Sequence, residues 1–156
     1  MTRNAVDYEE DFYAWTVEQA RLLRAGEFSA LDIANIAEEI ESLGRSDRRE
    51  LASRLTVLLV HLLKWLKQPD MRSKSWSATI REQRRQIEKL LRESPSLRPF
   101  IATALSESYS DARDDAVEET GLSAAEFPAS CPFALDEVLA RSFLPEPAAR
   151  PSPAVP

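Results

Sequence analysis

The sequence predicts an all-α fold: a bundle of about five helices around a central apolar helix at 51–68. Three observations carry that expectation. Nine of the twelve residues from Leu55 to Leu66 are apolar, and Leu51, Leu55, Leu58, Leu62 and Trp65 recur at steps of four and three, the spacing of one helical face. Leu59, Leu63 and Leu66 widen that face so far that other helices must cover it on several sides. The chain holds only three glycines, and no window alternates apolar and polar residues at period two as a half-buried strand would.

The helices follow in order. Asp7 with Glu10 has the spacing of a capping box, and the helix after it carries Tyr8, Phe12, Trp15 and Leu22 on one side and stops at Gly26. Ser29 is the expected N-cap of a second helix, stapled by Phe28 on Ile33, with Ile33, Ile36, Ile40 and Leu43 on one face and Gly44 as its end. Ser46 then caps the central rod, which Pro69 ends after Gln68. Ser73 or Ser75 caps a fourth helix with Trp76, Ile80, Gln83, Ile87 and Leu90 inward. Beyond the break at Ser94-Pro95-Ser96, a fifth helix spans about Leu97 to Thr120, turning Leu97, Ile101, Ala104, Leu105, Ser108, Ala112 and Ala116 inward and stopping at Gly121. Ser123 and Glu126 predict one more helical turn, and 132–141 a last short helix. The expected organisation is a single domain over 1–144 and a disordered Pro/Ala-rich tail over 145–156, where prolines crowd the end of the chain.

A length of 156 residues suits one core. A single cysteine cannot close an internal disulfide, the N-terminus has no apolar signal region, and the rod is too short to span a bilayer. The expectation is a soluble cytoplasmic protein with no membrane contact. The net charge of −6 gives no general attraction to nucleic acid.

Several strings in the chain resemble a known family: Asp-Phe-Tyr-Ala-Trp-Thr at 11–16, Glu-Glu-Ile-Glu-Ser-Leu-Gly at 38–44 and His-Leu-Leu-Lys-Trp at 61–65. Ser-Trp-Ser-Ala-Thr-Ile-Arg-Glu-Gln-Arg at 75–84, Ser-Pro-Ser-Leu-Arg-Pro at 94–99 and Phe-Pro-Ala-Ser-Cys-Pro-Phe at 127–133 belong to the same set. Together they are similar to domain-of-unknown-function family 29 over roughly Tyr8 to Pro145. The resemblance implies a bacterial, all-helical protein and carries over no catalytic residue.

Candidate chemistry is sparse. His61 is the only histidine, and it lies at the edge of the rod's apolar stripe, on the side of Arg54. Glu39 lies at the edge of the second helix's stripe. If those helices are antiparallel neighbours, Glu39 meets His61 or Arg54, and with Arg81 they form the weak candidate catalytic set, since a buried carboxylate–imidazole pair shifts both pKa values. The competing explanation is a structural pair, because buried charges need partners whether or not they catalyse. A metal site lacks ligands: di-iron bundles use Glu-x-x-His pairs, and Leu58 stands three residues before His61. No metal or cofactor is expected. Cys131, before Pro132, is placed either as the N-cap of the last helix, where a thiol gains reactivity, or as a small packing residue.

Charge is segregated. Nine basic against three acidic residues between Lys64 and Arg92 make that segment +6, leaving −12 for the rest, much of it in the fifth helix. Lys74, Arg81, Arg84 and Arg85 are the candidate phosphate or nucleic-acid contacts. Pairing of this basic segment with the acidic fifth helix, within the domain or across a dimer, is the preferred explanation, and binding to nucleic acid at physiological salt is not expected. No Gly-rich phosphate loop, nucleophile elbow or zinc motif is present. The leading function is therefore a small interaction or regulatory module without catalytic activity, with a protein partner or self-association; nucleic-acid binding by 64–92 and an enzyme built on Glu39, His61 and Arg81 are the alternatives. The rod carries the first testable expectation: Leu62→Ala lowers stability by about 2–5 kcal/mol, read from denaturant unfolding, and an unchanged midpoint would show that the rod is not central.

Overall fold

The apolar stretch is the C-terminal half of a much longer helix. In the computed structural model, which describes residues 5–148, five α-helices are present: α1 (Phe12–Ala25), α2 (Ile33–Lys67), α3 (Lys74–Glu93), α4 (Ile101–Thr120) and α5 (Leu135–Leu139). Short 3-10 turns fill the connections at Phe28–Ala30, Pro69–Met71, Pro95–Phe100 and Ala124–Glu126. No strand occurs among the described residues, and the all-α class holds. None of the helices is long and apolar enough to cross a membrane. The chain divides into two compact units, Met1–Ser46 and Asp47–Pro156, and α2 contributes to both.

The second and third helices expected from the sequence are one. Gly44 and Ser46, read as a stop and a cap, sit inside α2. Ion pairs span the join: Arg45 reaches Glu38 at 2.8 Å and Glu41 at 3.8 Å. They support the helix where glycine weakens it.

In the first unit, α1 starts one turn later than the capping-box spacing suggests. Asp11, not Asp7, is its N-cap, accepting from the Ala14 amide at 3.0 Å. Asp7 instead closes the turn before it, accepting from the Glu9 amide at 2.8 Å. At the other end Gly26 takes φ +72°, and the amides of Gly26 and Glu27 return to the carbonyls of Leu23 and Leu22 at 3.2 and 3.0 Å. This is a Schellman motif, and its left-handed residue favours glycine. The cap of α2 is Asp32 rather than Ser29. Its carboxylate accepts from the Asn35 backbone and side chain at 3.4 and 2.8 Å. The Phe28–Ile33 staple does not form a buried contact, because both side chains stay exposed.

In the second unit the C-terminal half of α2 is the core. Leu55, Leu58, Leu59, Leu62 and Leu63 are completely buried. α3 covers this rod with Ile80, Ile87 and Leu91, and α4 with Ile101, Leu105, Tyr109, Ala112 and Ala116. Trp65 is only partly buried, with the Arg72 guanidinium 5.0 Å above its ring. α3 begins at Ser73, which caps through the Trp76 amide. On its inward face the buried polar residue is Arg84; Gln83 is partly buried. The expected fifth helix opens with a 3-10 turn through Leu97 before α4, and Gly121 ends α4 at φ +69°. The turn at Ser123 is 3-10, and the last short helix shrinks to α5.

The chain after α4 is strapped down by polar contacts. Tyr109 donates to the Pro128 carbonyl at 2.6 Å, and Arg113 to those of Ala124 and Phe127 at 2.8 and 3.3 Å. Pro145 is buried, with Arg72 reaching its carbonyl and the Glu146 carboxylate, each at 3.5 Å. The rest of the tail expected to be disordered, from residue 149 on, lies outside the described residues.

The glycines separate two roles by experiment. A Cβ built on Gly44 meets nothing within 4 Å, so Gly44→Ala should stabilise the chain by about 0.5–1 kcal/mol. Gly121→Ala should destabilise it by about 1–2 kcal/mol, because φ is +69° there. Urea midpoints moving the same way for both would contradict the helix assignment at Gly44.

Candidate functional site

Two surfaces stand out, one in each unit. The first unit is organised by Asp32. While capping α2, its carboxylate accepts from the Trp15 indole N–H at 3.0 Å, and its own amide donates to Gln19 Oε1 at 2.8 Å. Trp15, Gln19 and Leu22 are the buried ones among the described residues of this unit. Tyr8, Phe12 and Trp15 form an aromatic cluster with ring centroids 4.9–5.8 Å apart. The Tyr8 hydroxyl donates to Glu39, and that bond to a carboxylate pushes the phenol up to about 12. α1 thus lies on the flank of α2 that carries Asp32, Ile36 and Glu39.

The adjoining flank of α2 is uncovered. Ile33, Ile40 and Leu43 are 67%, 63% and 70% exposed. Ala37 and Gly44 continue the row at helical spacing and are also exposed. Apolar exposure concentrates in this unit: eight of the twelve exposed large hydrophobic residues among the described residues belong to it. Its sequence carries ten acidic and four basic residues, a net −6, whereas the second unit has sixteen of each sign.

The second surface is a cleft on α3, about 580 Å3 in volume, lined by Arg81, Glu82, Arg84, Arg85, Glu88 and, from beyond α5, Arg141. Arg84 is buried. Its Nε donates to the Val138 carbonyl at 2.9 Å, and its terminal nitrogens to the carbonyls of Glu137 and Arg141 at 3.4 Å each. It satisfies carbonyls at the end of α5, as basic side chains do at helix C-termini.

The residues singled out from sequence separate into different places. Glu39 belongs to the first unit; His61 and Arg81 belong to the second. Glu39 and His61 stand on the same helix, about six turns apart, so they are not antiparallel neighbours. His61 Nδ1 lies 2.9 Å from the carbonyl of Val57 on its own helix. Arg54 binds Glu50 at 3.0 Å and Gln83 at 3.3 Å. No hydrogen bond or ion pair joins any two of Glu39, His61 and Arg81 among the described residues. Arg81, Arg84 and Arg85 do share the cleft, and Lys74 is outside its lining.

Cys131 is not a helix cap, because α5 begins four residues later. Burial pushes its thiol up, and the Sγ donates weakly to the Phe133 carbonyl at 3.5 Å. That suits a packing residue. No group of three metal-ligating side chains comes together among the described residues.

The expected pairing of the basic fourth helix with the acidic fifth takes a different form. The α3 charges pair locally, Arg85 with Glu82 and Lys89 with Glu93, while Glu88 goes to Arg141 rather than Arg92. α4 receives its cation from α2, Lys64 to Glu119 at 2.9 Å. Lys64 also sits 4.6 Å above the Trp76 ring.

These features define an all-helical protein with an acidic, apolar-faced N-terminal unit and a helical bundle bearing an arginine cleft. The chain belongs to the family described as Domain of unknown function DUF29, whose model matches residues 8–144. No curated protein and no solved structure matches it.

The Asp32 network has a pH signature. Hydrogen bonds from Asn35 and then from Trp15 hold the Asp32 carboxyl below its ordinary value, against burial. Its contribution is therefore present above the unfolded pKa of about 3.9 and is lost as pH falls through the lower folded value. Amide exchange in α1 of Asp32→Asn, divided by that of the parent chain, should exceed one at pH 7 and shrink toward one near pH 3. A ratio independent of pH would remove Asp32 from its place at the centre of this unit.

Proposed function

We propose that the protein is a protein-interaction module whose N-terminal unit receives a cationic amphipathic helix of another protein. The observation behind this reading is the open apolar row of Ile33, Ile40 and Leu43 beside a unit of net charge −6. A helix laid along such a row buries it at i, i+7 spacing, the way amphipathic helices dock. Ala37 and Gly44 lie in the same row and admit close approach of a partner backbone. Gly44 is otherwise unexplained: glycine inside a helix costs about 1 kcal/mol relative to alanine, and none of the described residues crowds its position.

Charge selects the partner. A second copy of the unit would bring −6 against −6, whereas lysines and arginines flanking a partner's apolar seam are attracted. Nucleic acid is a poor fit, because Lys64, Arg72, Arg85 and Lys89 along the basic segment are already in ion pairs. Enzyme chemistry on Glu39, His61 and Arg81 has no assembled constellation behind it.

The probe is an 18-residue helical peptide of leucine and lysine, labelled for anisotropy, with a leucine–glutamate peptide as its acidic counterpart. The cationic peptide should bind and the acidic one should not. The double substitution Ile40→Ser/Leu43→Ser leaves the net charge unchanged and should weaken binding by at least about tenfold, roughly 1.4 kcal/mol, with helicity retained by circular dichroism. Unchanged binding in that variant would refute the docking face. So would a dimer of the parent chain in sedimentation that the same substitutions abolish.

A further inference from the structure

The arginine cleft of the second unit takes no part in that docking. Its floor is Arg84, 4% exposed, whose hydrogen-bond partners are the carbonyls of Glu137, Val138 and Arg141. These carbonyl oxygens accept from three of its five N–H groups and bring no charge to offset the guanidinium. At the rim, Arg85 rests on Glu82, and one terminal nitrogen of Arg141, Nη2, donates to both carboxylate oxygens of Glu88 at 2.9 and 2.7 Å. Arg81, one turn before Arg84 and Arg85, makes no hydrogen bond or ion pair with the described residues. Four guanidinium groups face two carboxylates, so the cleft carries a net +2, and Arg81 and Arg84 supply the uncompensated part.

We propose that this cleft binds a phosphate monoester carried on a small, flat apolar body. The monoester carries about −1.5 to −2 at neutral pH, which matches the excess charge. Its acceptor oxygens suit guanidinium forks, and Arg84 keeps N–H groups to spare beyond its carbonyl bonds. Ala78 and the methylene stems of the arginines supply the apolar wall on which the organic body rests. A phosphodiester chain is a poorer match. Each of its phosphates carries a single charge, and the next cation along α3, Lys89, is paired with Glu93.

Calorimetric titration of the full chain at pH 7.5 with phenyl phosphate, phenyl sulfate and a single-stranded DNA oligonucleotide tests this. Phenyl phosphate should bind, and phenyl sulfate, a monoanion of the same shape, at least about tenfold more weakly. Arg81→Gln should cut phenyl phosphate binding by at least about tenfold with the melting temperature unchanged, since Arg81 holds nothing in the fold. Lys89→Gln, outside the cleft, should bind as the parent does. The proposal fails if phenyl phosphate gives no saturable heat up to about 10 mM, if Lys89→Gln and Arg81→Gln lose affinity equally, or if the oligonucleotide binds more tightly than phenyl phosphate.

Discussion

The physical constraint on which the rest of the protein depends is the burial demanded by one helix. α2 carries two apolar faces of different fate. In its C-terminal half Leu55, Leu58, Leu59, Leu62 and Leu63 leave water completely. Each such side chain is worth about 1.5–3 kcal/mol in transfer from water, so α3, α4 and the chain beyond α4 are held where they cover this rod. In its N-terminal half Ile33, Ile40 and Leu43 remain in water. The first unit buries little apolar surface of its own beyond Trp15 and Leu22, and it relies on a polar knot at Asp32 to seat α1.

That contrast explains how polar groups are used. In the second unit, buried or half-buried donors secure the irregular chain: Arg84 on the carbonyls around α5, Tyr109 on Pro128, Arg113 on Ala124 and Phe127. An irregular segment cannot satisfy its own carbonyls, and these side chains do so for it. In the first unit the polar contacts hold a cap and a tryptophan, and the adjoining apolar row has no cover. Exposed apolar patches of this kind mark sites of association.

Much of the fold was legible because its signals are local. The apolar period of the rod, Gly26 and Gly121 as helix ends, Pro69 as a stop and Ser73 as a cap all depend on neighbouring residues. Gly44 was misread because a glycine looks the same in sequence whether or not it adopts a left-handed conformation. The ion pairs of Arg45 with Glu38 and Glu41 were the available sign that the helix continues. Ser29 and Asp32 are both acceptable caps, and the choice fell to Asp32 through Trp15 and Gln19, contacts 17 and 13 residues away in sequence. The candidate site suffered from the same error. Glu39 and His61 could be brought together only by splitting α2, and the burial of Arg84 rests on carbonyls more than fifty residues further on.

Docking on the uncovered flank of the N-terminal half of α2 is the claim on which the functional account stands, and methyl resonances read it directly. With isoleucine and leucine methyls labelled, addition of a cationic leucine–lysine helix should shift Ile33, Ile40 and Leu43 while Leu58, Leu62 and Ile87 of the buried core stay in place. Shifts confined to the second unit, or none at saturating peptide, would contradict it.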